Sequence, residues 1–102
     1  MSNPTVPPDR PLPTRDALRE FLTRVAENKS ECAETRVYAA VIAHSYPSTW
    51  YPGDPGRQVR ERDLNVRLAK VLVEIQQDER TEVHARANAA AALLNWGLEV
   101  LS

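Results

Sequence analysis

Apolar residues recur at helical spacing along most of the chain, and the interruptions in that rhythm mark its elements. Leu18, Phe21, Leu22 and Val25 fall three or four positions apart and make one stripe. Just before it, Thr14 can accept a hydrogen bond from the freed amides of a first turn, and Asp16 suits the positive end of a helix dipole. The stripe stops in Glu27-Asn28-Lys29-Ser30-Glu31, where Asn28 and Ser30 are both reasonable caps for a new helix. A second stripe, Ala33, Val37, Ala40, Val41 and His44, runs to a stop at Tyr46-Pro47. Helices are therefore expected over about 14–28 and 30–45.

Residues 46–57, with three prolines and two glycines, cannot continue a helix and form a central loop that carries Tyr46, Trp50 and Tyr51. After it Leu64, Leu68, Val71, Leu72 and Ile75 make an amphipathic face, followed by seven residues, Gln76 to Glu82, without an apolar side chain. The rhythm resumes at Val83, Ala87, Ala90, Leu94 and Leu101. From Ile75 to Val83 is a step of eight, where the alternation of threes and fours calls for seven. At roughly 100° per residue the extra position swings the apolar face round, so a break is expected near 77–80, with helices over about 59–77 and 80–101. The same step of eight separates Val25 from Ala33, and the chain reads as two helix pairs. Direct identity between the halves is poor, and the parallel is taken as shared helical-bundle grammar.

The third helix carries a second stripe. Val59, Val66 and Val73 are spaced by seven, with Ala69 beside them, on the side of a helical wheel opposite Leu64, Leu68, Val71 and Ile75. A helix apolar on two sides needs two packing partners. Either it lies in the middle of a monomeric bundle, or one stripe joins a second chain. The leucine face is the better intramolecular surface, since a leucine-sized group contributes about 1.5–3 kcal/mol when fully buried. Val59, Val66 and Val73, with Trp96 as an aromatic anchor, are the candidate partner-binding residues. In the fourth helix Ala85, Ala87 and Ala89 to Ala92 leave little bulk, so another helix can approach closely.

Composition narrows the function. The 102 residues carry 13 basic and 14 acidic side chains, a net charge of −1, which argues against a protein whose main business is coating nucleic acid or an anionic membrane. Arg57, Arg60, Arg62 and Arg67 nonetheless follow a loop bearing Trp50 and Tyr51, the residue types that contact phosphates and stack on bases. They form an alternative, nucleic-acid-binding surface, opposed by the interleaved Asp54, Glu61 and Asp63. Five of the eight prolines lie within the first 13 residues, so 1–13 is expected to be an extended arm. Single Cys32 excludes an intramolecular disulfide, and neither His44 nor His84 has a second strong ligand one helical turn away. No metal, no cofactor and no catalytic residues are expected. The N-terminus has no apolar signal-type core and the longest apolar run is far short of the ~20 residues a membrane span needs, which suggests a cytoplasmic protein. Arginine outnumbers lysine 11 to 2 and alanine reaches 13, a bias of GC-rich coding of the actinobacterial or phage type.

The expected fold is all-α: a small bundle of three or four helices behind a Pro-rich N-terminal arm. The expected function is non-enzymatic, that of an interaction protein or small regulatory or accessory factor. Its expected partner is another protein, itself included, as a homodimer formed through an apolar helix face.

Overall fold

The computed structural model describes residues 11–46 and 53–96, and every regular element among them is helical. In chain order these are α1 (Arg15–Glu27), α2 (Ala33–Ser45), α3 (Arg57–Gln77) and α4 (Val83–Trp96). Most of the Pro-rich arm, the loop residues Trp50 and Tyr51, and the chain after Trp96 lie outside the described residues. The all-α bundle read from the sequence is the observed architecture.

Helix starts follow local hydrogen bonding. Thr14 caps α1 as expected, its hydroxyl accepting from the Ala17 amide at 3.1 Å. α2 and α4 begin three residues later than expected, at 33 and 83, because Asn28 and Asp78 organise a turn instead of capping a new helix. The Asn28 amide donates to the Val25 carbonyl, its own carbonyl accepts from the Glu31 amide, and its Oδ1 accepts from the Ser30 amide at 3.0 Å. Asp78 does the same with Ile75, Thr81 and Arg80. An arginine then closes each turn from the following helix: Arg36 Nε donates to the Ala26 carbonyl at 2.8 Å, and Arg86 Nε to the Gln76 carbonyl at 2.9 Å. Every member of one set stands fifty positions from its counterpart in the other, so the two hairpins are turned by one device despite their poor sequence identity.

The hairpins stack as two layers. Hairpin 1 is α1–α2 and hairpin 2 is α3–α4; α1 lies beside α3, α2 lies beside α4, α2 also packs diagonally on α3, and α1 and α4 do not meet. One core runs between the hairpins, with Leu68, Val71, Leu72 and Ile75 of α3 set against Ala26, Val37, Ala39, Ala40 and Ala43. Alanines on one side let the bulky α3 row come close. Leu68 and Leu72 are fully buried, each contributing about 1.5–3 kcal/mol.

Two expectations about the core need correction. The stripe on α1 is not its buried face: Phe21 is 63% exposed and Leu18 50%, while Arg19, Thr23 and Ala26 are buried. On α4 Val83 and Leu94 are exposed, and the core positions are Ala85, Ala89, Ala92 and Leu93. Leu18 and Phe21 on α1 and Val83 and Leu94 on α4 are left exposed, while Leu22, Val25 and Leu93 keep contact with the core. α1 tolerates the inversion because the Arg19 guanidinium is fully engaged: Nε donates to the Ala43 carbonyl at 3.0 Å, and the two terminal nitrogens to the Glu61 carboxylate at 2.9 and 3.0 Å. The Thr23 hydroxyl donates to the Arg19 carbonyl at 2.8 Å.

Candidate functional site

Shifting hairpin 1 by fifty residues onto hairpin 2 gives each exposed residue a counterpart whose surroundings are known. The α3 row Leu68, Val71, Leu72 and Ile75 is the front of hairpin 2 and is buried against hairpin 1. Its counterpart on α1 is Leu18, Phe21, Leu22 and Val25, the same Leu-x-x-apolar-Leu-x-x-apolar row, standing at the front of hairpin 1. There Leu18 and Phe21 are exposed, and Leu22 and Val25 are half-buried and packed in part against the core. Ile42 and Tyr46 extend the face from α2, and with Leu18, Leu22 and the stems of Arg15 and Arg19 they line a shallow cavity of about 380 Å³.

The rear of each hairpin can be compared in the same way. Hairpin 1 receives hairpin 2 on Thr23 and Ala26 of α1 and on Val37, Ala40 and Val41 of α2, all buried or packed against the core. The corresponding positions in hairpin 2 are Val73, Gln76, Ala87, Ala90 and Ala91, every one of them partly or fully exposed. Val59 and Val66 on α3, with Val83 and Leu94 on α4, enlarge this rear face, and Leu94 is 80% exposed. Two apolar faces, one at each end of the stack, are thus left open among the described residues.

Between the hairpins the contacts are also ionic. Arg67 of α3 reaches Glu27 at 2.7 Å and Glu20 at 3.3 Å, both on α1, and Lys29 pairs with Glu74 at 3.1 Å. Hydrogen bonds from Arg67 hold the Glu27 carboxyl below its ordinary pKa. At the far end of α2 the His44 ring stacks on Trp96, centroids 3.9 Å apart and planes 12° off parallel. Burial lowers the His44 pKa, the nearby Arg19 adds to the effect, and Glu61 opposes it. An open groove of about 780 Å³ runs between α2 and α4, lined by Tyr38, Val41, His84, Asn88, Asn95 and Trp96 among others.

The candidate partner-binding residues are divided by this arrangement. Val59 is exposed, Val66 is half-buried, Val73 is half-buried and packs on the core, and Trp96 is engaged by His44 within the chain. Among the nucleic-acid candidates, Arg60 is paired with Asp54 and Arg67 with its two glutamates, Arg62 is exposed and Arg57 is partly buried. The arginines do not converge on one free surface. Sequence reasoning missed Leu18, Phe21, Ile42 and Tyr46 as surface residues; the signal was the repeated row at an offset of fifty. No group of three His, Cys, Asp or Glu among the described residues is placed to hold a metal ion, and no helix there is long and apolar enough to cross a membrane. Compared with known proteins, the chain matches no family model, no curated protein and no solved structure.

Proposed function

We propose that this chain is a non-enzymatic interaction protein, a small regulatory or accessory factor that binds other proteins, copies of itself included, through the apolar ends of its two-hairpin stack. The supporting observation is the front row of hairpin 1: the residue pattern that α3 buries internally is left partly open on α1, where Phe21 is 63% and Leu18 50% exposed. Exposed aromatic and aliphatic side chains grouped on one rigid face are the usual anchors of protein interfaces. Light scattering on the full chain over a hundredfold range of concentration tests the self-association. Mass above the 11.5 kDa of one chain supports it. A constant 11.5 kDa refutes it and leaves the two ends for other partners.

A further inference from the structure

We infer that the chain assembles head to tail: the front of hairpin 1 in one copy docks on the rear of hairpin 2 in the next, repeating the step that already joins the two hairpins of one chain. This rests on the reading of the protein as self-associating and specifies which faces meet. The occupant of the exposed front is therefore a second copy of this chain.

The internal interface supplies the template: its apolar row, its ring contact and its Lys29–Glu74 pair have counterparts across the new junction, whereas the Arg67 pairs with Glu20 and Glu27 have none, the matching positions being Ala17, Lys70 and Gln77. Where Leu68, Val71, Leu72 and Ile75 enter the rear of hairpin 1, Leu18, Phe21, Leu22 and Val25 enter the rear of hairpin 2, where Val73, Ala87, Ala90 and Ala91 stand in for Thr23, Val37, Ala40 and Val41. The receiving surface is apolar at these four positions, and Gln76, which matches Ala26, is the polar one among the five. Within the chain Trp96 stacks on His44; fifty residues earlier and later stand Tyr46 and Leu94, both exposed, and head-to-tail stacking lays the Tyr46 ring on Leu94.

One charge pair follows the same rule. The internal pair is Glu74 with Lys29. Its counterparts are Arg24 and Glu79, a pair of opposite sign order, so the junction again joins a cation to an anion. Arg24 is exposed and pairs with Glu20 on its own helix at 3.4 Å, a surface contact it can exchange for one across the junction. The buried internal pair Arg19–Glu61 maps to Ala69 and Pro11, so that pair leaves no buried charge at the junction, and Lys70, which matches Glu20, is exposed to water. Because the two faces differ, the contact is heterologous, and such contacts build a growing stack or close into a ring.

The test uses full-length variants with one face disabled each. Phe21→Glu places a charge on the front and Leu94→Glu on the rear; both side chains are exposed, so helix content by circular dichroism is expected to be unchanged. Each substitution is expected to weaken association by roughly a hundredfold. In light scattering each variant alone is expected at 11.5 kDa, and their equimolar mixture at twice that mass with no further growth, since one variant keeps a working rear and the other a working front. A variant that still dimerises alone overturns the inference in favour of a symmetric interface and leaves self-association standing. A wild type that stays at one chain's mass removes both readings, and is the result expected if the chain's own arm or a foreign protein covers the front. Charge exchange gives a second readout in variants that do not touch the apolar faces. Arg24→Glu and Glu79→Arg are each expected to weaken assembly about threefold to tenfold, and the double variant to recover it. A double variant no better than the weaker single overturns the proposed register.

Discussion

Arg19 is the one charged residue in the described core, and its removal gives the most demanding test of the packing. The guanidinium is 5% exposed and joins three helices: it sits on α1, donates to the Ala43 carbonyl of α2, and makes two hydrogen bonds to Glu61 of α3. Arg19→Ala places at this site the residue that hairpin 2 carries at the matching position, Ala69. It leaves a void under α1 and removes the Arg19 guanidinium from Glu61. Breaking a buried pair on one side costs about 3–5 kcal/mol. The Glu61 side chain retains 23% of its exposure and can recover some water, so a loss of ~3 kcal/mol is expected. With a urea dependence of about 1.5 kcal/mol per molar, the midpoint falls by ~2 M. The assay is urea unfolding followed by circular dichroism, at a concentration where the oligomeric state is the same for each variant. Glu61→Gln and the double variant complete a cycle in which the double is expected to cost at least ~1 kcal/mol less than the two singles together. Arg19→Ala within about 0.5 kcal/mol of wild type, or singles that simply add, would refute the account of the inverted α1 face.

Three further outcomes follow from local geometry. Arg36→Ala and Arg86→Ala each remove an arginine hydrogen bond to the end of the preceding helix; each is expected to cost ~1–2 kcal/mol and the two to add within about 0.5 kcal/mol, while widely unequal costs would mean that the turns are not equivalent. His44 has its folded pKa held below the ordinary 6.5 by burial, so below that pH the unfolded chain binds more protons and stability falls as the pH drops. The wild type should therefore lose more thermal stability between pH 7 and pH 5 than His44→Gln, and equal losses would contradict it. Hydrogen bonding from Thr35 keeps the exposed Cys32 thiol below its ordinary pKa, with a sulfur–oxygen distance of 3.1 Å. Thr35→Val should slow alkylation by iodoacetamide near neutral pH, and an unchanged rate would dismiss the bond.

The number of helices and their approximate limits were legible in the sequence, because proline, glycine and a step of eight in the apolar rhythm all act on the local backbone. Which face of each helix is buried was legible only for α2 and α3. On α3 the leucine face is the core, as the size of its side chains suggests. On α1 and α4 the reading failed for opposite reasons. The buried side of α1 is closed by an arginine whose partners lie 24 and 42 residues away, which periodicity cannot register. The buried side of α4 is lined mostly by alanines, so Val83 and Leu94 outweighed it in the pattern although they point outward. The candidate surface was half visible: Val59, Val66 and Val73 belong to the rear face, but the stripe on α1 gave no sign that Leu18 and Phe21 stay exposed while Leu22 and Val25 reach the core. An amphipathic stripe records that a face wants a partner and not whether the chain supplies one.

The lack of contact between α1 and α4 bears on how the molecule acquires its structure. A bundle closed on itself must assemble all its helices before any face is satisfied. Here each hairpin is completed by neighbours close in sequence, tied by its own turn, and joined to the other along one seam. Stability then resembles a sum of two unit terms and one coupling term, as in linear arrays. Either hairpin can nucleate and offer its surface to the other, and the mostly local connectivity favours rapid folding. The coupling falls chiefly on α2 and α3, which meet across the diagonal, so α1 and α4 can open at either end without the middle of the stack being lost.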